Sequence, residues 1–584
     1  MSEARLLAID AAARERALDT QQSFIGRAPA GSGKTQLLIQ RVLALLATVD
    51  APEEVVAITF TRKAAAEMRQ RLVEALAAAR GDEPEQPHKL RTYRLAVAVC
   101  RRDEERGWDI VRNPARLRVQ TIDALAQWLA RQLPLALGLG AAPNVTEQPA
   151  ALYDAAARAT LAVLESRDRG DRPLVRHVER VLEHLDNDVE RAVALVSSML
   201  GRRDQWLRHL GGQEREQLEA ALARACERQI QRARELLPAA LGDELAALAR
   251  YAATNGGAGG GLSACADLAV LPEAAVDRLD AWSGLASMLL TGEDGWRAQF
   301  TKREGFPAGD TAEQRRLNKP YRDRIARLLD ALRANEELRD ALATLRRLPP
   351  SRYTDDHWSV VGSIVEVLRR AAAELRVVFA ERGTMDFAEV THRAVQALGD
   401  HDAGDIALAL DARVRHLLID EFQDTSITQF ELVEHLVSDW TGGDGRTLFV
   451  VGDPMQSIYR FREAEVGLFL RAWESGIGPL ALEQLKLTRN FRSQRAVVDW
   501  VSRAFARVLP GESDIVSGAV SFEPAVAVHP ASLEPAVLVH GFIDGRAGDE
   551  AAKVVEIVRG IRAQDPAASI ALLVRARSHL VEIA

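Results

Sequence analysis

The segment that most constrains this 584-residue chain is Ala28-Pro29-Ala30-Gly31-Ser32-Gly33-Lys34-Thr35, set between an apolar run and a long amphipathic pattern. That context predicts a phosphate-binding loop joining a strand to a helix. Gly31 and Gly33 let the backbone curl, so that its N–H groups and the helix N-terminus converge on a phosphate. Lys34 adds a mobile positive charge for the β- and γ-oxygens, and Thr35 a hydroxyl for Mg²⁺. The loop therefore calls for a nucleoside triphosphate. Ala28 stands where the strict formula has its first glycine, and the plain alternative is a glycine-rich turn with a solvated lysine.

An acidic counterpart lies far downstream. Leu417-Leu418-Ile419-Asp420-Glu421 reads as a buried strand ending in two carboxylates, and it is expected beside the loop strand, with both acids in the crevice at the strand ends. Asp420 suits Mg²⁺, and Glu421 suits orienting and deprotonating an attacking water. A metal site made from His416 and these acids lacks a second, spaced histidine or cysteine.

With these two elements, an ordered series of motifs resembles the UvrD/RecB-like helicases of superfamily 1. The series is Ile58-Thr59-Phe60-Thr61-Arg62-Lys63-Ala64, Val119-Gln120-Thr121-Ile122-Asp123, Asp420-Glu421-Phe422-Gln423-Asp424-Thr425, Val451-Gly452-Asp453-Pro454-Met455-Gln456-Ser457-Ile458-Tyr459-Arg460-Phe461-Arg462 and Leu487-Thr488-Arg489-Asn490-Phe491-Arg492-Ser493. Arg460 makes it more similar to the RecB-like and AddA-like (exonuclease V beta-type) branch.

The resemblance implies an α/β fold: a P-loop NTPase, RecA-like motor domain with an inserted helical subdomain, then the start of a second RecA-like domain. Its boundaries fall at 1–125 and 385–484 for the first domain, 126–384 for the insertion and 485–584 for the second. It implies ATP and Mg²⁺, and ATP-driven 3′-to-5′ movement on single-stranded DNA as the motor part of a recombinational repair helicase–nuclease. The other class kept open is a DNA-binding regulatory ATPase that does not unwind. By resemblance Gln456 senses the γ-phosphate and Arg492 reaches it across a cleft, while Thr61, Thr121, Tyr459 and Phe461 line the single-strand track. Implied partners are single-stranded DNA, duplex–single-strand junctions and a nuclease or second repair subunit.

Two positions depart from the family. Ala13 stands where it has an adenine-reading glutamine, so Asp10 and Arg14 are expected to form a polar clamp on the base. Asp123 replaces a histidine, which predicts a rearranged hydrogen bond on the DNA side.

A net charge of −8 gives no general attraction to nucleic acid, so binding would need a local basic groove. One candidate is Lys302, Arg303, Arg315, Arg316, Lys319, Arg322 and Arg324 around Tyr321. Cys100, Cys226 and Cys265 have no metal spacing and suit a reducing compartment. No apolar run approaches the ~20 residues that cross a membrane, so the reading is cytoplasmic. Between Thr121 and Asp420 the stretches 213–237 and 360–382 have helical periodicity. Near the end, 549–561 reads as a helix with apolar residues inward and 570–574 as a buried strand. Because two family motifs are expected after this point, the chain reads as an amino-terminal part of a longer protein, with weak nucleotide binding and no unwinding on its own.

Overall fold

In the computed structural model, which describes residues 3–132, 144–207, 215–256, 261–350, 353–399, 414–458, 464–515, 518–531, 535–542, 547–574, 580 and 583, the chain forms two compact units. The first joins 1–142 to 387–584, and the second is the intervening stretch 143–386. The first change of unit thus falls after 142, where the sequence suggested 125, because helix Ile122–Gln132 packs against helix Phe387–Gly399 of the first unit.

Among the described residues the strands are β1 (Phe24–Arg27), β2 (Val55–Thr59), β3 (Arg118–Thr121), β4 (Asn144–Val145), β5 (Thr384–Met385), β6 (His416–Ile419), β7 (Thr447–Gly452), β8 (Glu483–Lys486), β9 (Arg489–Gln494) and β10 (Val526–His529). Six of them form one parallel sheet in the order β3-β2-β6-β7-β1-β8. Strands β2, β6 and β7 are buried at every position, as expected of a parallel sheet covered on both faces.

This order corrects one expectation: the acid-bearing β6 is not the neighbour of β1, because β7 lies between them. Gly26 helps to explain the pairing. A Cβ there would stand 3.2 Å from Val451 Cγ2, so glycine lets β7 close on β1. The motif that follows β7 is thereby placed between the loop and the acids.

Helices α1 (Glu3–Arg16), α2 (Lys34–Leu46), α3 (Arg62–Ala78) and α4 (Pro87–Arg106) contribute to one core with Phe24, Leu418, Phe449 and Val451 of the sheet. α2 is held by Arg41, which is fully buried. Its guanidinium donates to the carbonyls of Ala17 (2.7 Å), Asp19 (2.6 Å) and Gln22 (2.8 Å) and lies over the rings of Phe24 and Phe449. Burial lowers its pKa to about 10, which leaves it cationic near neutrality. Beside it, buried His416 shares a hydrogen bond with Thr447 Oγ1 at 2.9 Å.

The second unit is mostly helical. Helices Arg215–Leu236 and Asp355–Arg382 match the periodic stretches of the sequence. A two-residue ladder of β4 on β5 joins its first and last described residues. Nearby, buried Arg203 forks onto Asp386 at 2.6 and 2.7 Å, and Asp386 also accepts from the Tyr153 hydroxyl at 2.6 Å.

Toward the end of the chain, β9 and β10 pair in parallel and helix Ala547–Gln564 forms, but the expected strand at 570–574 does not. These residues are irregular and Leu573 is 92% exposed. A strand needs a partner for its backbone groups, and none pairs with this segment among the described residues. The apolar face of helix 547–564 is likewise only partly covered: Ala551 is buried, whereas Ile557 and Ile561 are exposed.

Two stability effects follow. Arg41→Met is expected to cost about 2 kcal/mol or more in urea denaturation, since the buried carbonyl of Ala17 loses its donor outright and the part-buried carbonyls of Asp19 and Gln22 lose one that water replaces. Burial and the charges of Arg41 and Arg415 lower His416 from 6.5 to about 4. A group depressed on folding contributes stability that is complete above its unfolded pKa and lost as pH falls toward the folded one. Urea midpoints should therefore fall between pH 6.5 and 4, with a shallower fall in His416→Gln.

Candidate functional site

β1 ends at Arg27, and the loop that follows enters α2 with Gly33 as its N-cap. Gly31 and Gly33 both have φ of 74°, a left-handed conformation that glycine adopts readily. The loop is anchored by Ala28 N–H donating to Gly452 O (2.9 Å) and Ser32 N–H to Pro29 O (3.0 Å). No acidic side chain stands in the first turn of α2, so its positive dipole end is not locally neutralised. The Ser32 hydroxyl is buried with no hydrogen-bond partner among the described residues, which fits a loop that receives phosphate oxygens.

Lys34 reaches past β7 to the end of β6. Its Nζ is 3.3 Å from Asp420 Oδ1 and 2.5 Å from Glu421 Oε2. Burial draws the ammonium pKa down, but the two carboxylates more than reverse that and hold it above its usual value. Burial also pushes Glu421 up, while the Lys34 charge and the Gln423 amide bring it below the usual carboxylate value. Deeper Asp420 is raised, first by burial and then by the Glu421 charge. Glu421 has φ of 53°, backbone strain of a kind that clusters at functional positions.

Thr35, Thr59, Thr61, Asp420, Glu421 and Gln456 share the lining of a cavity of about 290 Å³. In the same lining the Gln423 amide donates to Glu421 Oε2 (2.9 Å) and Asp424 Oδ2 (3.1 Å) and accepts from Asp453 N–H (2.9 Å). Burial pushes Asp424 up to about 6, and its other oxygen accepts from Ser457 Oγ at 3.0 Å. The Gln456 amide donates to the Asp453 carboxylate.

The expected clamp of Asp10 and Arg14 is corrected. Asp10 is fully buried; its carboxylate accepts from the N–H groups of Thr488 (2.8 Å) and Arg489 (3.0 Å) and pairs with Arg14 at 2.7 Å. It ties α1 to the start of β9 and has no face left for a base. Arg14 does reach the loop, donating to Ser32 O at 2.6 Å, and its guanidinium lies 5.2 Å from the centroid of the exposed Phe491 ring.

β9 sits on the loop, with Phe491 N–H donating to Gly31 O (2.8 Å) and Asn490 Nδ2 to Ala30 O (3.0 Å). This places exposed Arg492 next to Gly31. Asn490 and Phe491 were missed as site residues, although both directly precede Arg492 in its motif.

Thr61 and Thr121 stand where β2 and β3 give way to helices, and each hydroxyl oxygen caps the helix that follows, accepting from Ala64 N–H (3.1 Å) and Ala124 N–H (3.2 Å). Thr61 is exposed and Thr121 is buried. Asp123, in place of the family histidine, accepts from Gln429 Nε2 at 3.1 Å. Tyr459, Arg460 and Phe461 lie outside the described residues. Of the basic set in the second unit, Arg324 pairs with Glu244 at 2.7 Å and Tyr321 stacks on Tyr251, while Lys302, Arg303, Arg315, Arg316, Lys319 and Arg322 are exposed. Among the described residues no cluster of histidine, cysteine and acidic side chains could hold a metal ion, and no helix is long and apolar enough to cross a membrane.

The family model for the UvrD/REP helicase N-terminal domain matches residues 10–475. Among curated proteins the chain is similar to the A subunit of the ATP-dependent helicase/nuclease of Lysinibacillus sphaericus (strain C3-41), with 26% identity over 84% of this chain and 39% of the relative. The proteins of the same name from Pelotomaculum thermopropionicum (27%, 91% and 42%) and Moorella thermoacetica (29%, 88% and 36%) are comparably similar. The chain thus spans about two fifths of the length of these curated relatives.

Gly31 carries a specific consequence. A Cβ there would stand 2.8 Å from both Arg492 Cβ and Asn490 Oδ1, in a backbone conformation that alanine resists. Gly31→Ala is expected to cost more than about 1 kcal/mol and to speed amide hydrogen exchange at residues 30–35 and 489–492 together.

Proposed function

The chain belongs to the UvrD/REP helicase family, and on that premise we propose that it is the motor part of an ATP-dependent 3′-to-5′ DNA helicase or translocase working in DNA repair. The observation that carries this reading is the placement of Lys34 between Asp420 and Glu421, with Thr35 and Gln456 lining the same cavity. A loop that offers N–H groups and one cation, facing two adjacent carboxylates, suits phosphoryl transfer to water.

In this proposal loop residues 28–35 cradle the phosphates, and Thr35 with Asp420 holds Mg²⁺, which when bound neutralises phosphate charge. Glu421, whose carboxylate form is favoured by Lys34 and the Gln423 amide, orients the attacking water and takes its proton. Gln456 and Arg492 address the γ-phosphate. Arg14 lies on the base side, and the exposed Phe491 ring beside it is a stacking surface. The first unit, 1–142 with the residues from 387, holds the first RecA-like domain and, from about residue 485, the start of the second, and 143–386 is the inserted helical subdomain. Thr61, Thr121, Tyr459 and Phe461 line a single-strand track; for the two threonines the hydroxyl proton remains a donor, because only the oxygen is used in capping. The relatives are named for one subunit of a helicase/nuclease, which supports a partner in the form of a second subunit, with single-stranded DNA and its junctions with duplex as substrates. A reducing cytoplasm suits the three free thiols.

Glu421→Gln should retain nucleotide and DNA binding while phosphate release slows by roughly 10²-fold or more. Lys34→Ala should instead weaken nucleotide binding itself, as measured by equilibrium titration. Near-normal turnover in Glu421→Gln would remove that residue as the base. DNA-stimulated phosphate release without strand separation at saturating ATP would favour a regulatory ATPase.

A further inference from the structure

We infer that Gln423 and Asp424 are positioning residues that couple Glu421 to the segment 453–458. The inference rests on the motor reading above and names a physical link within that site.

Both residues lie on the short helical turn Phe422–Asp424 directly after the acids, and both are buried, at 1% and 4% exposure. The bonds of Gln423 fix its orientation. An amide nitrogen has two protons, and here one goes to Glu421 and one to Asp424, while the amide oxygen takes Asp453 N–H. A flipped amide would set its oxygen against two carboxylates and its NH₂ against an N–H, so a single orientation satisfies all three partners. Gly452 makes room for it: a Cβ there would stand 2.3 Å from Gln423 Oε1.

The chain of bonds then continues outward. Asp424 accepts from Ser457 Oγ, and Asp453 accepts from Met455 N–H and from the Gln456 side chain. Movement of the backbone at 453 or 457 therefore acts on the amide that holds Glu421. In a buried network, leaving a partner unsatisfied is costly, so these groups favour moving together. Glu421 responds to such a pull because its Oε2 accepts directly from the Gln423 amide. Glu421 thus has two supports, Lys34 on the loop side and Gln423 on the β7 side.

Ser457 offers the test, as it lies at the partly exposed end of the chain of bonds. Phosphate release by the intact protein would be measured with and without mixed-sequence single-stranded DNA, together with the KM for ATP and the affinity for the strand. Ser457→Ala should lower the DNA-stimulated kcat by about fivefold to tenfold, equivalent to the loss of one part-buried hydrogen bond, and leave KM and strand affinity within about twofold. Ser457→Thr, which keeps the hydroxyl, should restore the stimulated rate. An unchanged stimulated rate in Ser457→Ala overturns the coupling, as does an equal loss with and without DNA that the threonine variant fails to rescue. Hydrolysis in the unmodified protein that DNA does not stimulate overturns the motor reading as well, an outcome distinct from failure of the link alone.

Discussion

The first unit is organised around the opposition of one lysine and two carboxylates. Placing Asp420 and Glu421 at the end of a fully buried strand carries a desolvation cost that only a close counter-charge offsets, and Lys34 supplies it. Lys34 can do so because two left-handed glycines turn the chain out of β1 and because Arg41 fixes α2, the helix that Lys34 begins. The intervening β7 sets the distance to be spanned and delivers Asp453 and Gln456 to the same place. The charges therefore depend on how the helix and sheet are anchored several residues away.

A second set of ties bears on the loop from the far end of the chain. Asp10 collects the N–H groups of Thr488 and Arg489, Asn490 and Phe491 bond the loop carbonyls, and Arg14 joins Asp10 to Ser32. A rearrangement of residues 488–492 cannot leave the loop undisturbed, since it would expose donors that are now matched one for one with loop carbonyls and with Asp10.

Much of this was legible from residue order alone. The loop, the acid pair and the motif around Arg492 were visible because their chemistry fixes residue type and spacing locally, and the apolar strands declared themselves as continuous runs. The interposition of β7 was not legible: nothing in β6 specifies its neighbour, and the cue that helps to explain it, the missing side chain of Gly26, has meaning only against Val451. The roles of Asp10 and Arg41 were hidden for a related reason, as their partners are mainly backbone groups that any sequence would provide. At 570–574 local pattern misled, because an apolar run becomes a strand only where another strand completes its hydrogen bonds.

The sheet order also bears on how such a chain assembles. β1 and β2 are consecutive in sequence yet separated in the sheet by β6 and β7, so the amino-terminal part cannot close its own sheet until the chain has been made through Gly452. Connecting elements so distant in sequence carries a loop-closure penalty and a long exposure of unpaired edges. The small ladder of β4 on β5 reduces that penalty, since it holds Asn144 beside Thr384. Once the helical unit has folded during synthesis, the two halves of the first unit emerge from neighbouring points, and a closure spanning nearly half of the chain becomes effectively a short one.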